Sequence, residues 1–187
     1  MRQIKRITKE NVFEGKRITV ERVEYDNIHP MEHAIVRPAA VILPITKDGQ
    51  VVLIKQTRTA IGDLSLYEIP AGLIDDADYN ELEDCENPDK EAAKKAAIRE
   101  LEEETGYIAN DAEFISEVYT SPGFTNEKIY IFLVDNLSIQ KEQKLDEAES
   151  IKIVKVSYEK AIQMLKNNEI KDLHTIYALT WYEAFKK

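Results

Sequence analysis

A chain of 187 residues, 43% hydrophobic with 9 Tyr, 5 Phe and 1 Trp, is long enough to bury one sizeable core and cramped for two domains. Its 35 acidic against 25 basic residues give a net charge of −10, which repels nucleic acid and anionic lipid at long range and argues against non-specific binding to either. An anionic substrate therefore needs a local cluster of cations. Residues 1–20 lack the apolar core of a signal peptide, and no apolar run reaches the ~18 residues of a membrane span, so a soluble cytoplasmic protein is expected. The single cysteine, Cys85, excludes an internal disulfide, and the acids around it raise a thiol pKa and disfavour a nucleophile.

In chain order, ITVERVEY (18–25) and AAVILPIT (39–46) read as strands, and QVVLIKQT (50–57) follows a turn at Lys47-Asp48-Gly49 in which Gly49 supplies the positive φ. AEFISEVYT (112–120), KIYIFLVD (128–135) and SIKIVKVS (150–157) are the other sheet candidates, rich in β-branched and aromatic residues. Ser157 can cap a helix with Ala161, Ile162 and Leu165 on one side; Asp172 can cap another bearing Leu173, Ile176, Tyr177, Thr180 and Ala184. The stripe Tyr177, Trp181, Phe185 at i, i+4, i+8 reads as core packing, and His29, His33 and His174, lacking metal-ligand spacing, as structural or exposed.

Between these lies AAIRELEEETGYIA. Asn87 as N-cap, Pro88 as first helical residue and Gly106 as the left-handed terminator bound a helix of about 88–105. At about 100° per residue, Glu100, Glu103 and Glu104 share an arc of about 100°, and Glu102 falls on the other side. Like charges at i, i+4 repel unless a cation lies between them, and hard oxygen donors suit Mg²⁺ or Mn²⁺. A solvated acidic face is the other reading of the same spacing.

Arg99-Glu100-Leu101-Glu102-Glu103-Glu104-Thr105-Gly106-Tyr107 resembles the second half of the Nudix hydrolase signature at every fixed position. GDLSLYEIPAGLID, TSPGFTNEKIYIFLV and LDEAESIKI extend the resemblance to the ADP-ribose pyrophosphatase branch, which places a proline where Pro122 stands, 16 residues beyond Gly106. The signature's first half departs. From Gly72 the next in-register acid is Glu91, 19 residues on where the family has 6, and strict spacing puts Cys85 where a glycine belongs. The interval reads as an acidic insertion near 75–87, and both Glu86 and Glu91, rival counterparts of the first signature glutamate, take a structural or helix-dipole role.

The resemblance implies an α/β (α+β) fold, an α/β/α sandwich around a mixed sheet over residues 38–187, preceded by a β-rich extension over 1–37. It implies metal-dependent hydrolysis of the pyrophosphate bond of ADP-ribose or a related nucleoside diphosphate sugar. Glu100, Glu103, Glu104 and the Ala71 carbonyl are implied as ligands of Mg²⁺, with Mn²⁺ as the alternative, and Glu104 thereby as a catalytic residue. Arg99 resembles the signature arginine that orients a carboxylate. Glu147 and Glu149 are unranked candidates for the base, Glu127 looks like the residue that meets the terminal ribose, and Glu68 joins the metal or phosphate environment. Arg58, ending a strand, is placed on a phosphate because its planar fork binds two oxygens at once; a surface arginine is the alternative. The extension implies a homodimer. The competing class is a Nudix-fold nucleotide sensor that does not hydrolyse its ligand, and a hydrolase of damaged nucleoside triphosphates is a third possibility.

Overall fold

The computed structural model describes residues 5–26, 28–75, 78, 88–145 and 150–187. Three strands come first, β1 (Arg6–Glu14), β2 (Thr19–Tyr25) and β3 (Ile28–Ile35), paired in that order as an antiparallel sheet of their own. β1 is exposed along its whole length, and only Glu21 and Val23 of β2 are buried. The sequence reading had found only β2 here, because RITKENVFE and IHPMEHAI lack a consistent apolar alternation.

The second sheet is built from β4 (Ala39–Thr46), β5 (Gln50–Arg58), β6 (Asp63–Glu68), β7 (Ala71–Leu73), β8 (Glu113–Tyr119), β9 (Lys128–Leu137) and β10 (Ile151–Ser157). Its central order is β10-β5-β4-β9-β8, with β6 paired to β5 and β7 to β4. It is a mixed sheet, since β4 and β9 run parallel while the other pairs are antiparallel. β4 and β5 pair only close to their connecting turn, at Ile45 and Val51; beyond it they diverge, and β6 and β7 fill the edges that this opens. Gly49 takes φ 77° in that turn, as its place in the hairpin requires.

Among the described residues three α-helices cover the sheet: α1 (Lys90–Thr105), α2 (Tyr158–Lys166) and α3 (Leu173–Phe185). Successive side chains of β4 point to opposite faces. Ala40 and Ile42 therefore pack with Ala93, Ala96, Ala97 and Leu101 of α1, while Val41, Leu43 and Ile45 pack with Ala161 and Met164 of α2 and Ala178 and Leu179 of α3. Both faces are covered, which makes an α/β/α sandwich. The alanines of α1 let that helix lie close against the strands.

Helix α1 starts later than the sequence suggested. Asp89, not Asn87, is the N-cap; its carboxylate accepts the amides of Glu91 and Ala92 at 2.9 and 2.8 Å, so Pro88 precedes the helix. A carboxylate that reaches two amides outweighs the preference of proline for the first helical position. Ser157 and Asp172 do cap α2 and α3, and Gly106 ends α1 at φ 73°. The aromatic stripe of α3 divides. Tyr177 and Trp181 pack against the core, whereas Phe185, the last residue of the helix, is 72% exposed, with its ring 5.5 Å from that of Trp181.

Candidate active site

Helix α1 carries the acidic face against β7, on the side where β4 and β5 have diverged. Leu101 and the alanines bury one side, which leaves Glu100 and Glu103 partly exposed and Glu104 almost fully buried, at 2%. Glu104 Oε2 accepts the Ala71 amide at 3.1 Å, so a buried carboxylate is tied to the backbone of β7. Gly72, the next residue, lies so close to α1 that a Cβ there would overlap the Glu100 side chain. Any side chain at 72 would displace Glu100. Glu102 lies on the other side of the helix, near Lys141 and Lys144 at 3.9 and 3.8 Å.

Arg99 binds several partners at once. One terminal nitrogen donates to Glu100 at 2.7 Å and Glu103 at 3.1 Å; the other donates to the Leu73 carbonyl and to Asp78, both at 3.1 Å. Burial works against its charge, but Asp78 and Glu100 more than compensate, and its pKa is raised. Asp78 itself is 5% exposed and closes a short turn by accepting the Asp75 amide at 2.8 Å. Part of the acidic stretch between Gly72 and Glu91 is thus packed under Arg99. Among so many neighbouring acids, nothing in the sequence singled Asp78 out.

Arg58 and Glu68 face each other across β5 and β6. The guanidinium grips the carboxylate through Nε at 2.7 Å and Nη2 at 2.5 Å, and Gln56 adds a third donor at 2.9 Å. Glu68 is 3% exposed while Arg58 remains 43% exposed at its side chain, so the arginine is oriented from within and open to solvent outward. The Glu68 hydrogen bond is the main reason its pKa is raised. Glu127 comes from a different loop, the one before β9. It accepts the Thr120 hydroxyl, and its loop is clamped to the end of the first sheet by Asn126, whose side chain accepts the Val36 amide at 2.8 Å and donates to the Val36 carbonyl at 3.2 Å.

Glu91 is exposed in the first turn of α1 and pairs with Lys94 at 3.1 Å, consistent with a helix-end role. Cys85, Glu86, Glu147 and Glu149 lie outside the described residues. The segment that leads toward the last two does not. Lys141 and Lys144 donate backbone N–H groups to the carbonyls of Gly106 and Glu103 at 2.8 and 2.9 Å, and the side chains of Gln140 and Gln143 donate to those of Thr105 and Glu104.

The donors fit a hard divalent cation in kind, being three carboxylates with adjoining backbone carbonyls. They do not surround one point: among the described residues no three His, Cys, Asp or Glu side chains form a metal-binding group.

The sandwich sets a carboxylate-bearing helix against a glycine-containing strand, and family comparison supplies its class. The NUDIX domain model matches residues 36–179, and the chain belongs to the Nudix hydrolase family. It is 38% identical over 184 residues to an ADP-ribose pyrophosphatase of Bacillus subtilis (strain 168), covering 96% of this chain and 92% of the relative. A methanol dehydrogenase activator of Bacillus methanolicus is 33% identical with the same coverage. A GDP-mannose pyrophosphatase of Cronobacter sakazakii is 36% identical over 75% of this chain and 70% of its own. In three dimensions, a crystallised ADP compounds hydrolase superposes with a TM-score of 0.79 at 21% identity, covering 99% of this chain and 95% of the other.

Proposed function

We propose that this protein hydrolyses the pyrophosphate bond of ADP-ribose or a related nucleoside diphosphate sugar with Mg²⁺. The reading is carried by the docking of Glu104 and Glu100 on Ala71 and Gly72, which joins the acidic helix to the strand that follows the Arg58–Glu68 pair. Relatives named for ADP-ribose and GDP-mannose favour the substrate class. Water adds to one phosphorus and the bridging P–O bond breaks; from ADP-ribose this gives AMP and ribose 5-phosphate.

Glu100, Glu103, Glu104 and the Ala71 carbonyl would hold the metal, with Arg99 releasing Glu100 and Glu103 toward it while keeping Asp78 and Leu73. Bound there, the ion supplies positive charge that screens the phosphates and acidifies water. Arg58, fixed by Glu68, presents its remaining N–H groups to a phosphate. Glu127 is assigned to the terminal ribose, and either Glu147 or Glu149 to the proton of the attacking water. The latter pair follows a segment anchored on the last turn of α1, next to Glu103 and Glu104.

We assign the enzyme to the cytoplasm as a homodimer. Ile7 and Phe13 of β1 and Ile18 just before β2 are between 42% and 61% exposed, and a three-stranded sheet with so little of itself buried gains from a partner. A mass near one chain by sedimentation removes the dimer.

A second reading, a regulator that binds a nucleotide without hydrolysing it, is favoured by the relative named as an activator. The discriminating experiment is AMP release from ADP-ribose with Mg²⁺, with UDP-glucose and GDP-mannose run alongside. Turnover preferring ADP-ribose supports the pyrophosphatase; no turnover of any substrate by folded, metal-supplied protein sinks the enzyme reading and leaves the regulator.

A further inference from the structure

The start of α3 carries none of the acidic signature, yet it is bonded to the strand segment on which the candidate site rests. Thr175 is fully buried. Its hydroxyl accepts the Ile69 amide at 2.9 Å, across 106 residues of sequence, and donates to Asp172 Oδ2 at 2.7 Å. The same oxygen accepts the Thr175 amide at 2.8 Å, and the other lies 3.4 Å from His174 Nδ1. A hydroxyl has one proton; given to Asp172, it leaves a lone pair facing Ile69. Asp172 therefore sets which way Thr175 points.

What Ile69 carries is the substance of the matter. On one side is Glu68, holding Arg58 and Gln56. On the other are Pro70, whose carbonyl accepts the Ile42 amide at 3.0 Å, then Ala71 bonded to Glu104, then Gly72 against Glu100. The five residues from Glu68 to Gly72 are thus held by β4, by α1 and, through Thr175, by α3.

His174 lies beside this junction. It is faced by Asp172 from the helix start, Glu68 from β6 and Glu127 from the loop before β9, while Arg58 of β5 lies within electrostatic reach of Asp172. Its Nε2 is buried with no hydrogen-bond partner. Burial alone lowers a histidine pKa, but these carboxylates reverse the effect and the net shift is upward.

We propose that Thr175, oriented by Asp172, is a positioning residue: it fixes the Glu68–Gly72 segment so that Ala71 meets Glu104 and Glu68 holds Arg58 in place. The role rests on the metal-face reading given above. Metal and phosphate groups tolerate displacement of only about 0.5 Å, so a single anchor on their supporting backbone has leverage on both.

The test is Thr175→Val, which keeps the shape and removes both hydrogen bonds, beside Thr175→Ser, which keeps them. Binding of Mn²⁺ without substrate, read by electron paramagnetic resonance, is paired with steady-state turnover of ADP-ribose with Mg²⁺. In the valine variant Mn²⁺ affinity and kcat should each fall about tenfold with KM within about twofold, and serine should restore both. Should valine fail to yield folded protein, Thr175→Ala takes its place in the same measurements. A folded valine or alanine variant that binds Mn²⁺ and turns over like the natural protein overturns the positioning role alone, as does a serine variant as impaired as valine. A natural protein that neither binds Mn²⁺ nor cleaves ADP-ribose removes the metal-face reading and the positioning role with it.

Discussion

Helices α1 and α3 both begin at an aspartate cap and both end their reach on the same short stretch of backbone, Glu68 to Leu73, but they grip it differently. α1 holds it with charge: Glu104 accepts the Ala71 amide and Arg99 donates to the Leu73 carbonyl. α3 holds it with a neutral hydroxyl, Thr175 on Ile69. Under the proposed function the charged grip belongs to a face that exchanges partners when an ion arrives, Arg99 giving up Glu100 and Glu103 while it keeps Leu73. A neutral buried bond has no such exchange to make, and it suits a fixed support.

Changes on the α1 side should have the largest effect. Glu104→Gln keeps the size and can still accept the Ala71 amide, yet removes the charge; AMP release from ADP-ribose should drop by at least about 10²-fold with little change in fold. Retained turnover would mean that α1 holds the backbone without holding a metal. Gly72→Ala comes next. The added methyl pushes Glu100 aside, and Mn²⁺ affinity measured by titration should fall by about 10–100-fold while circular dichroism stays native.

A pH experiment sharpens the α3 side. The pKa of His174 is raised, so its stabilising contribution is complete below the unfolded value of about 6.5 and is lost as pH rises through the folded one. Although burial pushes the carboxyl of Asp172 up, His174 and Thr175 pull it lower still, so its contribution is present above about pH 3.9 and lost as pH falls. The pair should therefore stabilise most between about pH 4 and 6.5. Between about pH 6 and 8.5 the natural protein's Tm should fall more than that of His174→Gln, by calorimetry. Equal slopes would mean that the histidine charge does nothing for α3. The smallest effect is expected from Glu102→Gln. Glu102 differs from its neighbours only in pointing the other way, toward loosely paired lysines, and kcat should stay within about twofold. A large loss there would show that acidity of the helix, rather than one face of it, is what matters.

The main-sheet strands read in advance left two kinds of signal: β4, β5 and β9 carry buried apolar runs, whereas β8 and β10 are half-exposed and were read from β-branched and aromatic residues with partial alternation. β6 and β7 were missed because they are short edge pieces whose pairing depends on β4 and β5 diverging. The face shared by Glu100, Glu103 and Glu104 was legible because helical geometry alone puts them together. Their binding to Arg99 was not, since a side-chain rotamer is chosen by neighbours.

By itself, then, the chain determined what repeats locally: the apolar runs, the caps at Ser157 and Asp172, the glycine stops at 49 and 106, and the acidic arc with its Nudix wording. Those depend on bonds within a few residues, where spacing is information enough. Tertiary structure decided which of many acids are buried, putting Asp78 under Arg99 and leaving Glu91 in water, and it chose Asp89 over Asn87 as the cap. It also brought Thr175 to Ile69 and Asn126 to Val36, contacts made across 106 and 90 residues. Such pairs leave no periodic trace, because the partner's identity is fixed only after the sheet has set the distance between them.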